Sequence, residues 1–210
     1  MKQLIELIKN NEKTKAVKLA LSMLDEQKIT IVDLYQTFLM PALNEIECAE
    51  EDTKCIWQEH IRTNIVRTII ESAYVYIVQY LKDHKVKPLN KKVLVVCPTD
   101  EYHEIGARMA TDFFMMNGYD VTYIGANSPL EVIVSAVEVE QPNILAVSVT
   151  NIYHLSATKH MIDVIKESSP TVKIYGGGQA FSSPLTKEAV SPDEVLWTFD
   201  DFVQVAKGEK

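Results

Sequence analysis

Up to residue 84 the apolar positions recur at helical spacing. Leu4, Ile5 and Ile8 predict a short first helix, and Ala16, Val17, Leu19, Ala20, Met23 and Leu24 a second. Thr30 followed by Asp33 is a capping signal for a third, running through Leu34, Phe38 and Leu39 to about Ala49, with Pro41 bending it locally. A fourth starts near Asp52 and Thr53 and continues through Ile65, Ile69 and Tyr76 to about Leu81. Four helices with short connections predict a helical bundle over residues 1–84.

Residues 85–92 break the pattern. The surrounding stretch, Asp83 to Lys92, is polar, basic and interrupted by Pro88, so it reads as a linker. Its lysines, without interleaved aromatic residues, fit a solvated hinge better than a nucleic-acid patch.

From residue 93 to 210 short β-branched runs alternate with amphipathic helices. Val93–Cys97, Val121–Ile124, Ile144–Val149 and Val172–Tyr175 are the runs, with Val195–Thr198 a weaker fifth. Helices are predicted near Glu104–Asn117, Pro129–Glu140, Leu155–Ser169 and Thr186–Val190, and at the C-terminus. Strands that are continuous apolar runs are buried on both faces, which requires a parallel sheet covered by helices. The expected fold is α/β: a four-helix bundle followed by a doubly wound, five-stranded parallel sheet of Rossmann or flavodoxin-like type. Ligands in such sheets sit outside the carboxyl ends of the strands.

Composition narrows the class. The 210 residues are 47% hydrophobic and 24% charged, the profile of a soluble, cytoplasmic protein. No apolar run is long enough for a membrane span, and the N-terminus lacks a signal-peptide cleavage region. The net charge of −8 disfavours direct nucleic-acid binding. Cys48, Cys55 and Cys97 form no C-x-x-C pair and are expected to be free thiols.

Three polar or glycine-rich segments should converge on one rim: Pro98 to Gly106, Ser148 to Asn151, and Gly176 to Gln179. Several chemistries fail there. The third strand ends in Ser148 and Thr150 rather than a phosphoacceptor aspartate, and no G-x-G-x-x-G follows the first strand. His103-Glu104 begins like a zincin motif, but position 107 is Ala. No nucleophile sits in a G-x-S-x-G elbow. What remains is an imidazole on a loop, opposite two hydroxyl residues and a glycine-lined slot. Imidazole is a good ligand for cobalt, iron, zinc or copper.

Taken in order, E-x-H-x-x-G (Glu101, His103, Gly106), S-x-T (Ser148, Thr150) and the pair Gly177-Gly178 resemble the cobalamin-binding domain. The resemblance implies that His103 displaces the cofactor's own base and becomes the lower cobalt ligand, with Glu101 securing the loop. It also implies that the freed nucleotide tail passes Ser148 and Thr150 to reach Gly177, Gly178 and Gln179, and that the bundle covers the upper corrin face.

Two branches of that family differ in detail. Corrinoid methyl-carrier proteins of methyltransferase systems usually have D-x-H-D-I-G-K, where this chain has Glu101-Tyr102-His103-Glu104-Ile105-Gly106-Ala107. E-x-H-E-I-G, the segment from Tyr123 to Leu130 and Gly177-Gly178-Gln179 are similar to CarH/LitR-type light-responsive regulators. Those regulators carry a tryptophan, nine spacers, then Glu-His facing the upper ligand. Glu59-His60 is present, but the tryptophan's place is Ala49 and the next position is Glu50. Trp57 lies about 200° around the helix from the position of Glu59.

The resulting expectation is a cobalamin-binding sensor, not itself an enzyme. It would respond to light or to the upper ligand's state and signal through a protein partner or homo-oligomer. The alternative is a methyl carrier.

Overall fold

The computed structural model describes residues 2–44 and 53–208, in two compact units, Met1–Lys85 and Val86–Lys210. The first is helical: α1 (Lys2–Lys9), α2 (Lys13–Asp25), α3 (Ile31–Asp33), α4 (Met40–Asn44) and α5 (Thr53–Asp83). Thr30 caps α3 in a reciprocal box. Its hydroxyl accepts from the Asp33 amide (3.0 Å), while the Asp33 carboxylate accepts from the Thr30 amide (2.9 Å).

Between α3 and α4 the backbone widens into a π-helical stretch, Leu34–Leu39. Pro41 follows after Met40 and has no N–H to give an α-helical partner, a physical reason for the change of pitch. The expected end of this helix at Ala49 lies outside the described residues, as do Cys48, Glu50 and Asp52. Along α5, Ile65, Ile69, Ala73 and Ile77 are buried at spacings of four, one apolar stripe on a 31-residue helix. The Tyr76 hydroxyl donates to the Asp25 carboxylate at 2.6 Å and ties α5 to α2.

Cys55 is disulfide-bonded, whereas Cys97 is a buried free thiol. This corrects the expectation of three free thiols: an odd cysteine count does not exclude a bridge.

The second unit is the expected α/β domain: β1 (Lys92–Pro98), α6 (Ile105–Met116), β2 (Asp120–Ser128), α7 (Leu130–Glu140), β3 (Ile144–Ser148), α8 (Leu155–Ser168), β4 (Lys173–Gly177), α9 (Pro184–Val190), β5 (Glu194–Val195) and α10 (Phe199–Gly208). All four strand pairings are parallel, in the order β2-β1-β3-β4-β5. On one face Leu94 and Val96 of β1 and Leu145 and Val147 of β3 form a core with Ile133 and Val137 of α7 and Ile162 and Ile165 of α8. An aromatic cluster forms a second core, in which Phe114 of α6 meets Phe202 of α10 edge-on at 4.8 Å and stacks with Tyr175 of β4 at 6.5 Å.

The segment expected as a hinge is packed against this unit. The Leu89 amide donates to the Gly118 carbonyl (2.8 Å), and a Cβ at Gly118 would stand 2.4 Å from the Lys87 carbonyl oxygen. Strand order reverses between β1 and β3, so their carboxyl ends flank the crevice where such sheets bind ligands.

Candidate functional site

β1 runs into Pro98, and the chain then turns through Asp100 in a left-handed conformation (φ 64°). Two contacts fix this turn to the end of β2. The Asp100 amide donates to Asn127 Oδ1 (2.8 Å), and the Asn127 amide donates to the Glu101 carbonyl (2.9 Å). The turn buries the Glu101 carboxylate completely.

Donors surround that carboxylate. Oε1 accepts from the His103 amide at 2.9 Å and lies 2.6 Å from His103 Nδ1. Oε2 accepts from the amides of Thr150 (2.8 Å) and Asn151 (3.0 Å) and lies 3.3 Å from His154 Nδ1. Burial by itself raises the Glu101 pKa. The His103 side chain and the Asn151, His103 and Thr150 amides outweigh it and hold the pKa at about 2. A carboxylate offers only lone pairs, so Nδ1 of His103 is the nitrogen that carries a proton toward Glu101. With its Nδ1 side held this way, the His103 side chain remains 52% exposed.

A second carboxylate grips the loop from the other side. Glu104 accepts from the Tyr123 hydroxyl of β2 (2.9 Å) and lies 3.2 Å from Arg108 Nε, while the Arg108 guanidinium stands 5.3 Å from the Tyr123 ring centre. Burial, then the neighbouring Cys97 and Glu104, raise the Tyr123 pKa, so the phenol is a donor here. Under the loop, burial and the Glu101 charge push the Cys97 thiol up to about 12, and its Sγ lies 3.8 Å from the His103 carbonyl.

Ser148 ends β3 and is buried. Gly106, exposed in the first turn of α6, faces it: a Cβ there would stand 3.7 Å from Ser148 Oγ. Thr150 is half-buried, with its amide committed to Glu101. Gly177 closes β4, where a Cβ would meet the Leu196 carbonyl at 3.4 Å. Gly178 has φ 93°, and a Cβ there would stand 2.4 Å from the Val149 carbonyl oxygen, so only glycine fits. Exposed Gln179 begins the next short turn. The first two segments are thus joined through Glu101, and the third reaches them through the Gly178–Val149 approach. Glu59 (half-buried) and His60 (exposed) lie in the first turns of α5 in the helical unit.

Sequence reasoning missed His154 and Tyr123 as partners of the loop. The only local signal for His154 was Asn151, whose side chain accepts from the Tyr153 amide and starts the short turn Ile152–His154.

Residues 91–195, half of the chain, match the B12 binding domain. The chain belongs to the B12-binding domain family. The Methanosarcina barkeri methanol–corrinoid protein is 26% identical over 113 residues, 53% of this chain and 44% of that protein; the match spans less than half of that relative. In fold, the M. barkeri monomethylamine corrinoid protein superposes with a TM-score of 0.76 at 18% identity, covering 99% of this chain and 97% of that one. A cobalamin-binding protein from Desulfitobacterium hafniense gives 0.53 at 14% identity, covering 99% and 97%.

Cobalamin is therefore the cofactor of this B12-binding domain, and the residues fit it. Among the described residues no group of three or more His, Cys, Asp or Glu could hold a bare metal ion. A metal already held by a macrocycle asks for a single protein ligand, and one carboxylate-held imidazole on an exposed loop is that kind of donor. Gly106 sets no side chain beside Ser148 Oγ, where a Cβ would make ordinary contact at 3.7 Å.

Proposed function

We propose that this chain is a corrinoid methyl-carrier protein of a methyltransferase system. His103 would hold the cobalt, with Glu101 fixing the tautomer and direction of its imidazole. Gly106, Ser148, Thr150, Gly177, Gly178 and Gln179 would line the path of the nucleotide tail. The observation that carries the site is the 2.6 Å contact between a fully buried carboxylate and His103 Nδ1, and Nε2 would be the nitrogen that meets the metal. A corrinoid held there supplies reversible cobalt–carbon bond chemistry. The protein's own part is to hold the imidazole in one tautomer and one direction.

The names of the relatives support the carrier over the light-responsive regulator expected from the motifs. So does the sequence, which has Ala49 where those regulators carry the indole. Against it stand Glu101, Glu104 and Ala107, where carriers usually have Asp, Asp and Lys. Ala107 is fully buried, so a lysine there would need a different local packing. The regulator remains the second reading because Glu59-His60 and E-x-H-E-I-G match its motifs.

The deciding assay mixes the reduced, cobalamin-loaded full chain with methyltransferases acting on methanol and on methylamines, and follows methyl–cobalt formation by visible absorbance. Methylation with one of them is expected. No methylation with any, together with a light-dependent change in oligomeric state, overturns the carrier in favour of the regulator.

A further inference from the structure

Exposed apolar side chains gather on the two loops that meet at Glu101. Tyr102 is 66% exposed, Ile152 55% and Tyr153 77%. Tyr102 lies between Glu101 and His103. Ile152 and Tyr153 occupy a turn held at both ends by the same carboxylate, through the Asn151 amide (3.0 Å) and His154 Nδ1 (3.3 Å). Within the turn, Asn151 Oδ1 accepts from the Tyr153 amide (3.0 Å) and the Asn151 carbonyl from the His154 amide (3.1 Å). With the Asn151, Tyr153 and His154 amides committed and His154 turned inward, the turn leaves its isoleucine and tyrosine in solvent.

Large apolar groups fixed in water beside a ligand site lose the free energy that covering them would release. The one carboxylate that aims His103 also sets where these groups stand. An occupant must therefore lie over the loops without blocking the imidazole. A flat macrocycle whose metal that imidazole binds meets this condition; a protein surface seated here would cover His103.

We propose that Ile152 and Tyr153, with Tyr102, form the apolar seat for the lower face of the corrin ring and set the affinity for the cofactor. This rests on the reading of His103 as the cobalt ligand.

The test uses the full chain and its Ile152→Ser, Tyr153→Ser and double variants, titrated with hydroxocobalamin by visible absorbance. Both side chains are exposed, and matching urea midpoints of the cofactor-free chains check that the fold is kept. Each single variant should weaken binding about tenfold and the double variant about a hundredfold. Tyr153→Phe, which keeps the ring, should bind like the wild type.

In the cob(II)alamin form, ¹⁵N-histidine labelling should turn the axial nitrogen splitting from a triplet into a doublet, in the wild type and the double variant alike. A double variant that binds within about twofold of the wild type overturns the seat, even where His103→Ala abolishes the labelled splitting. A wild-type splitting that ignores the label overturns the reading beneath it as well.

Discussion

Replacing Glu101 by Gln removes the charge at the centre of the site while keeping its shape. In the fold the carboxyl has its pKa lowered from 4.5 to about 2, although burial opposes the shift. That difference favours the ionised side chain in the folded state by about 3 kcal/mol. The folded pKa lies below the unfolded one, so the fold binds fewer protons. The stabilisation is complete above pH 4.5 and is lost as the pH falls through about 2.

Gln cannot ionise, so E101Q should be less stable than the wild type by about 3 kcal/mol near neutral pH. The gap should narrow steadily below pH 4.5. Urea unfolding of the full chain, followed by Trp197 fluorescence in a Trp57→Phe background, isolates the α/β unit because the sequence has only these two tryptophans. A gap of the same size at neutral pH and at the acid end of that window would refute the electrostatic reasoning and leave only packing.

Gly178→Ala places a Cβ 2.4 Å from the Val149 carbonyl at φ 93°, and should cost roughly 3 kcal/mol in the same assay; wild-type stability would show that the strand end yields. Thr30→Ala removes the hydroxyl half of the capping box and should destabilise the helical unit by about 1 kcal/mol, whereas Thr30→Ser should not. Circular dichroism of the helical signal during urea unfolding reads both.

The parallel sheet was legible because Val93–Cys97 and Ile144–Val149 are uninterrupted apolar runs, which only burial on both faces explains. The cap at Thr30 was legible because it is a local pattern. The π-helical stretch was not: Pro41 announces that something must give, but whether the helix kinks or widens depends on what packs around Tyr35 and Phe38. β2 runs on to Ser128, beyond the apolar run, because its register shifts against β1 twice near Gly125 and Asn127, and such bulges leave little trace in polarity. At the site, Glu101 and His103 stood out through their spacing. The gathering of Thr150, Asn151 and His154 around Glu101 spans about fifty positions, and no local pattern encodes contacts of that range. Choosing between carrier and regulator by motif also leaned on single residues, such as Glu for Asp at 101, that differ by one methylene.

His103 is flanked in sequence by two acids that lean in opposite directions, Glu101 onto the chain leaving β3 and Glu104 onto Tyr123 of β2. The imidazole is thereby suspended like a bridge deck from two towers, with β1 as the pier between them. Parting the two strands that flank β1 would pull on both anchors of the loop at once, so a substitution at the end of β2, such as one at Asn127, should be felt at the ring.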